Sequence, residues 1–225
     1  PVILTLIARD AVHQSLEGFD LRESLRAWLQ EHVQLCSLRS TVENYKMRIL
    51  REEGAGIVTR FVFGLLLKSF CEQKSATPSV SDRATVEMSI LSHSNPENTM
   101  KFVYPEMYAI SSRGSLDSQA LQLRRDCMVM GSKAIAYLID SAEEILVFHP
   151  IASPMIDPAD DESLARGRQR LEEEINHRIL RSGIVPMLRN CHAGTTEATH
   201  LQKHLVEEQL LLPASTSYIS FISEL

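Results

Sequence analysis

Three side chains near the carboxyl end of the sequence have the chemistry of metal ligands: Cys191, His200 and His204. On a helix that begins near Thr196, the two histidines are four residues apart and share one face, the spacing with which two imidazoles hold one zinc ion. A structural zinc site usually adds a pair of ligands separated by two to four residues, whereas Cys191 is followed directly by His192. We therefore favour a simpler interpretation, two solvent-facing histidines and a half-buried thiol.

Basic side chains cluster on two predicted helices and are candidates for binding a membrane or a ribonucleoprotein. They are Arg124, Arg125 and Lys133 on the first helix, and Arg166, Arg168, Arg170, Arg178 and Arg181 on the second. Glutamates at 172, 173 and 174 interrupt the second cluster, so the main expectation there is a solvated face with ion pairs between residues four apart. The alternative is a surface that contacts the phosphates of an anionic partner.

No arrangement of nucleophile and base in the sequence predicts catalysis. Ser115 and Lys133 are a conceivable serine–lysine pair, but Ser115 is better explained as a helix cap, and Lys133 lies mid-helix without an apolar pocket. The acidic residues from Asp157 to Glu162 fall in the first turn of a predicted helix, where the helix dipole favours carboxylates. The sequence has no P-loop and no GxGxxG, GxSxG or HExxH motif. We therefore predict no enzymatic activity, no cofactor and no small-molecule substrate.

The elements that must position these residues are predicted to be helices. Asp20 caps a helix over 20–34, and Asn95, followed by a proline, begins another. Residues 57–70 are apolar on almost every side, which predicts a buried central helix. From Ser115 to Leu138, apolar residues recur at spacings of three and four, which predicts a long helix. Since few stretches alternate strictly, we predict an all-α fold, a multi-helix bundle.

A Pro-rich stretch is predicted to divide the chain. Three prolines fall between Pro150 and Pro158, which indicates a linker at 149–158. We predict two helical domains joined there, residues 1–149 and residues 150–225. The second domain would hold a strongly charged helix that ends near Gly183, then a last helix that stops at a proline.

Composition limits the classes of function. Hydrophobic residues make up 44% of the 225 residues, an ordinary globular mixture, and the net charge is −6. This acidity disfavours binding to nucleic acid unless a local basic patch provides it. The four cysteines form no CxxC pair, which predicts reduced thiols in the cytoplasm or nucleus. No segment reaches the roughly 20 apolar residues that span a bilayer, so any membrane contact is predicted to be peripheral.

Several short stretches, in the same order along the chain, resemble the matrix proteins of orthomyxoviruses. They are Phe19-Asp20-Leu21 with Ser24-Leu25 and Trp28-Leu29, then Gly56 to Phe63, then Asn95 to Lys101, and finally Cys127 to Met130. The chain departs from the family in having no basic residue between Val103 and Ser112, where the family has a basic cluster. Only Cys191, His200 and His204 could correspond to the family's zinc-like pattern. A diverged genus such as the thogotoviruses fits the resemblance better than influenza virus.

The resemblance implies a protein that self-associates on the inner face of a viral envelope and bridges the membrane to the ribonucleoprotein. Its partners would be copies of itself, anionic lipid and viral ribonucleoprotein, in the virion and in the host cytoplasm or nucleus. The alternative is a helical adaptor or nucleoprotein-like protein that binds a protein or RNA chain through the helix from Arg166 to Arg181. A third class, a metal-dependent enzyme, would require zinc near His200.

Overall fold

The structure, a computed structural model, describes most of the chain as two compact units. The described residues are 1–38, 41–51, 56–71, 78–118, 134–150, 161–181, 185–209 and 216–225. The first unit comprises Pro1–Val103 and Gln209–Leu225, and the second comprises Tyr104–Glu208. This division differs from the predicted boundary between residues 149 and 150, and most of the predicted linker lies outside the described residues.

The first unit is built from helices. In its first segment they are α1 (Val2–Glu17), α2 (Leu21–Cys36), α3 (Val42–Arg51), α4 (Ile57–Leu66), α5 (Pro78–His93) and α6 (Pro96–Val103). The Asp20 carboxylate caps α2 by accepting hydrogen bonds from the backbone N–H groups of Arg22 and Glu23. Asn95 caps α6 in the same way, through the N–H of Asn98 at 2.8 Å. The predicted helices at Asp20 and Asn95 are therefore confirmed.

Helix α4 forms the centre of this core, as its sequence predicts. Phe61, Phe63 and Leu65 are fully buried. At Gly64, a Cβ atom would lie 2.6 Å from the carbonyl oxygen of Val103, so the glycine permits α4 and α6 to approach closely. The segment Gln209–Leu225 also belongs to this unit. Within it, the ring of Tyr218 lies edge-on to the ring of Phe63, with ring centroids 5.2 Å apart.

The second unit contains a mixed sheet of five strands. They are β1 (Glu106–Ser111), β2 (Leu116–Ser118), β3 (Ala134–Asp140), β4 (Glu144–His149) and β5 (Met187–His192), in the spatial order β2-β1-β3-β4-β5. All neighbours are antiparallel except β4 and β5, which run parallel. Helix α7 (Asp161–Arg181) lies between them in the sequence, and α8 (Thr199–His204) follows β5. The last helix of the chain, α9 (Tyr218–Glu224), belongs to the first unit.

The prediction of an all-α fold is wrong, because parts of the predicted long helix form β2 and β3. Strand β3 is the middle strand of the sheet and is buried on both faces, with Tyr137, Leu138 and Ile139 at 1% exposure or less. Such a strand has a continuous apolar run, which periodicity alone does not separate from a buried helix. Pairing with β1 and β4 then decides the conformation.

Helix α7 packs on one face of the sheet. Leu171, Ile175 and Ile179 lie against a cluster on the strands that includes Ile110, Ala136, Leu138, Ile145 and Val147. At Gly167, a Cβ atom would lie 2.7 Å from Ile135 Cδ1 and 2.8 Å from the Ser111 carbonyl oxygen, so the helix approaches β1 closely there. The predicted charged helix after the linker is thus confirmed, and its apolar stripe fixes it to the sheet.

Candidate functional site

The outer edge of β5 exposes backbone hydrogen-bonding groups. Met187 N–H donates to the Glu143 carbonyl at 2.8 Å, and Ala193 N–H donates to the His149 carbonyl at 2.9 Å. Because the backbone groups of successive residues in a strand point alternately to its two edges, the N–H and carbonyl groups of the odd-numbered residues of β5 face β4, and those of Leu188 and Asn190 face away from it. No strand among the described residues pairs with this outer side.

At each end of this edge, one backbone group that could pair with a further strand is missing or already bonded. Pro186, just before the strand, has no N–H to donate. At the other end the carbonyl of His192 accepts hydrogen bonds from Thr195, from its N–H at 3.2 Å and from its Oγ1 at 2.7 Å. The outward backbone groups of Leu188 and Asn190 therefore form a short, sharply bounded edge.

Apolar side chains flank the edge. Val185 is 84% exposed, Met187 58% and Leu188 46%. The register places Leu188 beside Ile145 and Asn190 beside Val147, on the face of the sheet that carries α7. Natural proteins usually protect an edge strand with lysine, proline or a bulge, and β5 itself contains no lysine and no proline.

On the opposite face, the one charged side chain of β5 is neutralised. Arg189 forms an ion pair with Glu144, whose second oxygen lies 3.1 Å from His204 Nε2. The hydrogen bond from His204 is the largest influence that lowers the pKa of Glu144, to about 2, and Arg189 acts in the same direction while burial opposes both. The carboxylate is thus ionised at neutral pH and balances the guanidinium.

The predicted metal ligands lie near this edge but do not converge. The side chain of Cys191 is buried, and burial raises the pKa of its thiol. His204 is hydrogen-bonded to Glu144, and His200 Nε2 lies 3.4 Å from a guanidinium nitrogen of Arg189. Within the described part of the chain, no three His, Cys, Asp or Glu side chains are placed to hold a metal ion. These residues instead connect α8 to the sheet.

The predicted basic cluster of α7 is divided by ion pairs. Arg170 and Arg178 both contact the carboxylate of Glu174. Arg178 Nη1 also lies 3.5 Å from Asp140 Oδ2, and the guanidinium carbon of Arg178 lies 4.1 Å from the centroid of the Tyr108 ring. Arg178 is thereby directed onto the sheet. The other three arginines, Arg166, Arg168 and Arg181, are exposed. The first predicted cluster, Arg124, Arg125 and Lys133, lies outside the described residues.

The β5 edge and the Glu144–Arg189 pair were not predicted from the sequence. A usable signal was nevertheless present: a helix over 161–181 lies between two short apolar stretches, 144–149 and 185–191. Such an alternation is typical of a parallel β-α-β unit. Among the described residues, no helix is long and apolar enough to cross a membrane.

Comparison with known proteins identifies the fold only. No family model matches the chain, and no curated protein matches it. Among solved structures, it is similar to the crystal structure of the human COPII-coat protein Sec24c, with a TM-score of 0.66 and 13% sequence identity. The match covers 99% of this chain and 30% of that one.

That protein is unrelated to orthomyxovirus matrix proteins. The resemblance to the matrix family therefore stays a prediction from short motifs, and the all-helical fold that it implies is wrong. The chain shares its fold with a segment of a coat protein.

Proposed function

We propose that this chain is a non-catalytic structural subunit of a protein assembly and that it associates with a second copy of itself through β5. The observation that carries the proposal is the exposed edge of β5, with its outward backbone groups and apolar flanks. Main-chain groups at an exposed sheet edge are solvated, and an extended strand can replace that water with hydrogen bonds of its own. The fold that the chain shares with a coat protein is in keeping with a structural role.

The edge is complementary to itself. When two copies meet antiparallel about a two-fold axis at Arg189, Leu188 of each strand lies opposite Asn190 of the other. Each such pair exchanges N–H and carbonyl groups in both directions. A two-fold axis at Leu188 would place Asn190 opposite Pro186, which has no N–H. An axis at Asn190 would place Leu188 opposite His192, whose carbonyl already accepts from Thr195.

Charge at the axis is compatible with this pairing. The register brings the two Arg189 side chains opposite each other, and like charges in that position are normally unfavourable. Each guanidinium is already paired with Glu144 of its own chain. The net charge of each pair is therefore close to zero, and the repulsion is small.

The interface is short, so the contact is expected to be weak in an isolated dimer. Weak contacts become effective when many copies are held side by side, because binding is then intramolecular. A two-fold contact alone closes after two subunits, so an extended assembly would use a second, different surface.

The sequence resemblance implies a peripheral location at a membrane, next to a ribonucleoprotein. On α7, the exposed arginines alternate with the exposed acids Glu162, Glu172 and Glu173, which lowers the attraction to a phosphate surface. Self-association is therefore the part of that expectation that we carry forward. Co-sedimentation with anionic and neutral liposomes at two salt concentrations tests the membrane part separately.

Sedimentation velocity over a range of concentrations tests the self-association. The decisive variant is Asn190→Pro, which removes an outward N–H but no backbone hydrogen bond to β4. It also removes the side-chain hydrogen bond between Asn190 and His149 of β4. Its matched control is Asn190→Thr, which removes the same amide side chain but keeps the N–H. We expect the wild type and the control to form dimers as concentration rises and Asn190→Pro to stay monomeric with an unchanged near-UV spectrum. A wild type that stays monomeric, or a folded Asn190→Pro that still dimerises, would overturn the proposal.

A further inference from the structure

A groove between α1 and α2, in the first unit, has the properties of a second binding site. It has a volume of about 270 Å³ and is lined by Leu6, Ile7 and Asp10 from α1 and by Ser24, Leu25 and Trp28 from α2. Its walls are mainly apolar, and it lies wholly within one compact unit. It shares no residue with β5, so the inference drawn from it is independent of the proposed self-association.

Helix α1 carries apolar residues on two faces. One face packs into the core through Leu4, Ala8 and Val12, each 5% exposed or less. The other face presents Ile3 and Leu6, which are 72% and 59% exposed, with Ile7 one position further along. A surface helix needs only one apolar stripe to fold, and a second stripe that faces water usually marks a contact surface.

The wall that α2 contributes to the groove is held in position. Trp28 is 38% exposed, and its ring stacks on the ring of His32 with centroids 5.5 Å apart and an angle of 10° between the planes. Stacking restricts the side-chain rotamer, so little conformational entropy remains to be lost on binding. Tryptophan is also one of the residue types enriched at the energetic centre of protein interfaces.

One charged group lines the groove. Asp10 accepts a hydrogen bond from Gln14 Nε2 at 2.7 Å, which leaves further acceptor positions on its carboxylate. The neighbouring basic residue, Arg9, donates instead to the carbonyl of Ser94. The groove thus combines mainly apolar walls with one carboxylate, and it is complementary to an apolar side chain that is followed by a basic one.

We infer that this groove binds a short segment of a partner protein in which a large apolar or aromatic side chain neighbours a lysine or arginine. The apolar side chain lies against Leu6, Leu25 and Trp28, and the basic group pairs with Asp10. The volume is slightly below the range of about 300–1,000 Å³ that is usual for small-molecule pockets. It therefore suits one or two side chains of a longer segment rather than a whole enclosed ligand.

The experiment uses a phage-displayed library of short random peptides, selected on the immobilised full chain. Trp28 is the only tryptophan of the chain, so its fluorescence reports occupancy of the groove directly. We expect the enriched peptides to share an apolar residue beside a basic one and to shift the Trp28 emission saturably. Leu6→Lys should weaken binding about tenfold or more, and Asp10→Asn should weaken peptides with a basic residue about threefold to tenfold.

The matched control is Leu38→Lys, which changes an exposed apolar residue, 82% exposed, outside the groove lining. This variant should bind like the wild type, and circular dichroism should show that all variants remain folded. The inference is overturned when no enriched peptide shifts the Trp28 emission, or when Leu6→Lys and the control bind equally. A Trp28 emission that shifts with protein concentration alone in the Asn190→Pro variant, in which pairing through β5 is blocked, would assign the groove to a second copy and would also overturn the inference.

Discussion

His204 Nε2 lies 3.1 Å from a carboxylate oxygen of Glu144, and this hydrogen bond joins α8 to the first residue of β4. Because a carboxylate only accepts hydrogen bonds, Nε2 is the protonated ring nitrogen. The other carboxylate oxygen of Glu144 binds Arg189 on β5. One acidic side chain thus ties a helix and two parallel strands together beside the exposed edge.

The pH dependence of the stability of a Glu144 variant tests this arrangement. The pKa of Glu144 is lowered to about 2 from an ordinary value of 4.5, so its contribution to stability is complete above about pH 5 and is lost as pH falls towards 2. We expect Glu144→Gln to lower the free energy of unfolding by about 1–3 kcal/mol at neutral pH. The difference from the wild type should shrink as pH falls, as measured by urea denaturation. A difference that is constant with pH would show that the carboxylate charge is not involved.

Two neighbouring residues of α2 should respond differently to truncation. Leu29 is fully buried, whereas Trp28 is 38% exposed at the groove. Leu29→Ala should cost about 2–5 kcal/mol, because it leaves a cavity in the core. Trp28→Ala should cost about 1 kcal/mol, since solvent already reaches that side chain. Thermal denaturation followed by circular dichroism measures both, and equal losses would mean that Trp28 belongs to the core rather than to a binding surface.

Gly167 on α7 should not tolerate a methyl group. Alanine normally stabilises a helix relative to glycine by about 1 kcal/mol. At this position, the added Cβ would meet Ile135 and the Ser111 carbonyl oxygen below 3 Å. We expect Gly167→Ala to destabilise the protein by about 1–3 kcal/mol, while Asn176→Ala, at an exposed position of the same helix, should be neutral or stabilising. Chemical denaturation of both variants decides, and a stabilising Gly167→Ala would contradict the close approach.

The three cysteines in the described part of the chain should react in order of exposure. Cys36 is exposed, with its sulfur 3.6 Å from His32 Nε2, whereas Cys71 and Cys191 are buried. Burial also raises the pKa of the Cys191 thiol, which reduces the fraction of reactive thiolate. With iodoacetamide under native conditions, Cys36 should be alkylated about tenfold faster or more than Cys191. Peptide mapping by mass spectrometry measures the rates, and rapid labelling of Cys191 would show that β5 opens readily.

The helices of the first unit were largely predictable, because their signals are local. The Asp20 cap, the apolar run around Phe61 and the Asn95 cap each act within a few residues. The sheet was not predictable in the same way. Ala134 to Asp140 form a strand through pairing with residues 106–111 and 144–149, and that information is not contained in the periodicity of the segment itself.

The candidate site, too, was predictable from the sequence only in part. The sequence drew attention to Cys191, His200 and His204, and the structure places all three near the β5 edge. Whether they form a metal site depends on side-chain directions, which are set by the register of β5 on β4. That register buries Cys191 and directs Arg189 to Glu144. The outward backbone of Leu188 and Asn190 has no sequence signature, since an edge is defined by which strands surround it.

The most direct test of self-association through β5 is disulfide formation between two copies at Arg189. In the proposed register, the two Arg189 residues face each other as a non-hydrogen-bonded pair with Cα atoms about 4.5 Å apart, which suits a disulfide. In a background with Cys36→Ser and Cys127→Ser, Arg189→Cys should form a covalent dimer under mild oxidation. Leu188→Cys should not, because Leu188 faces Asn190 of the other copy. Equal cross-linking of the two variants, or none by either, would contradict the proposed assembly.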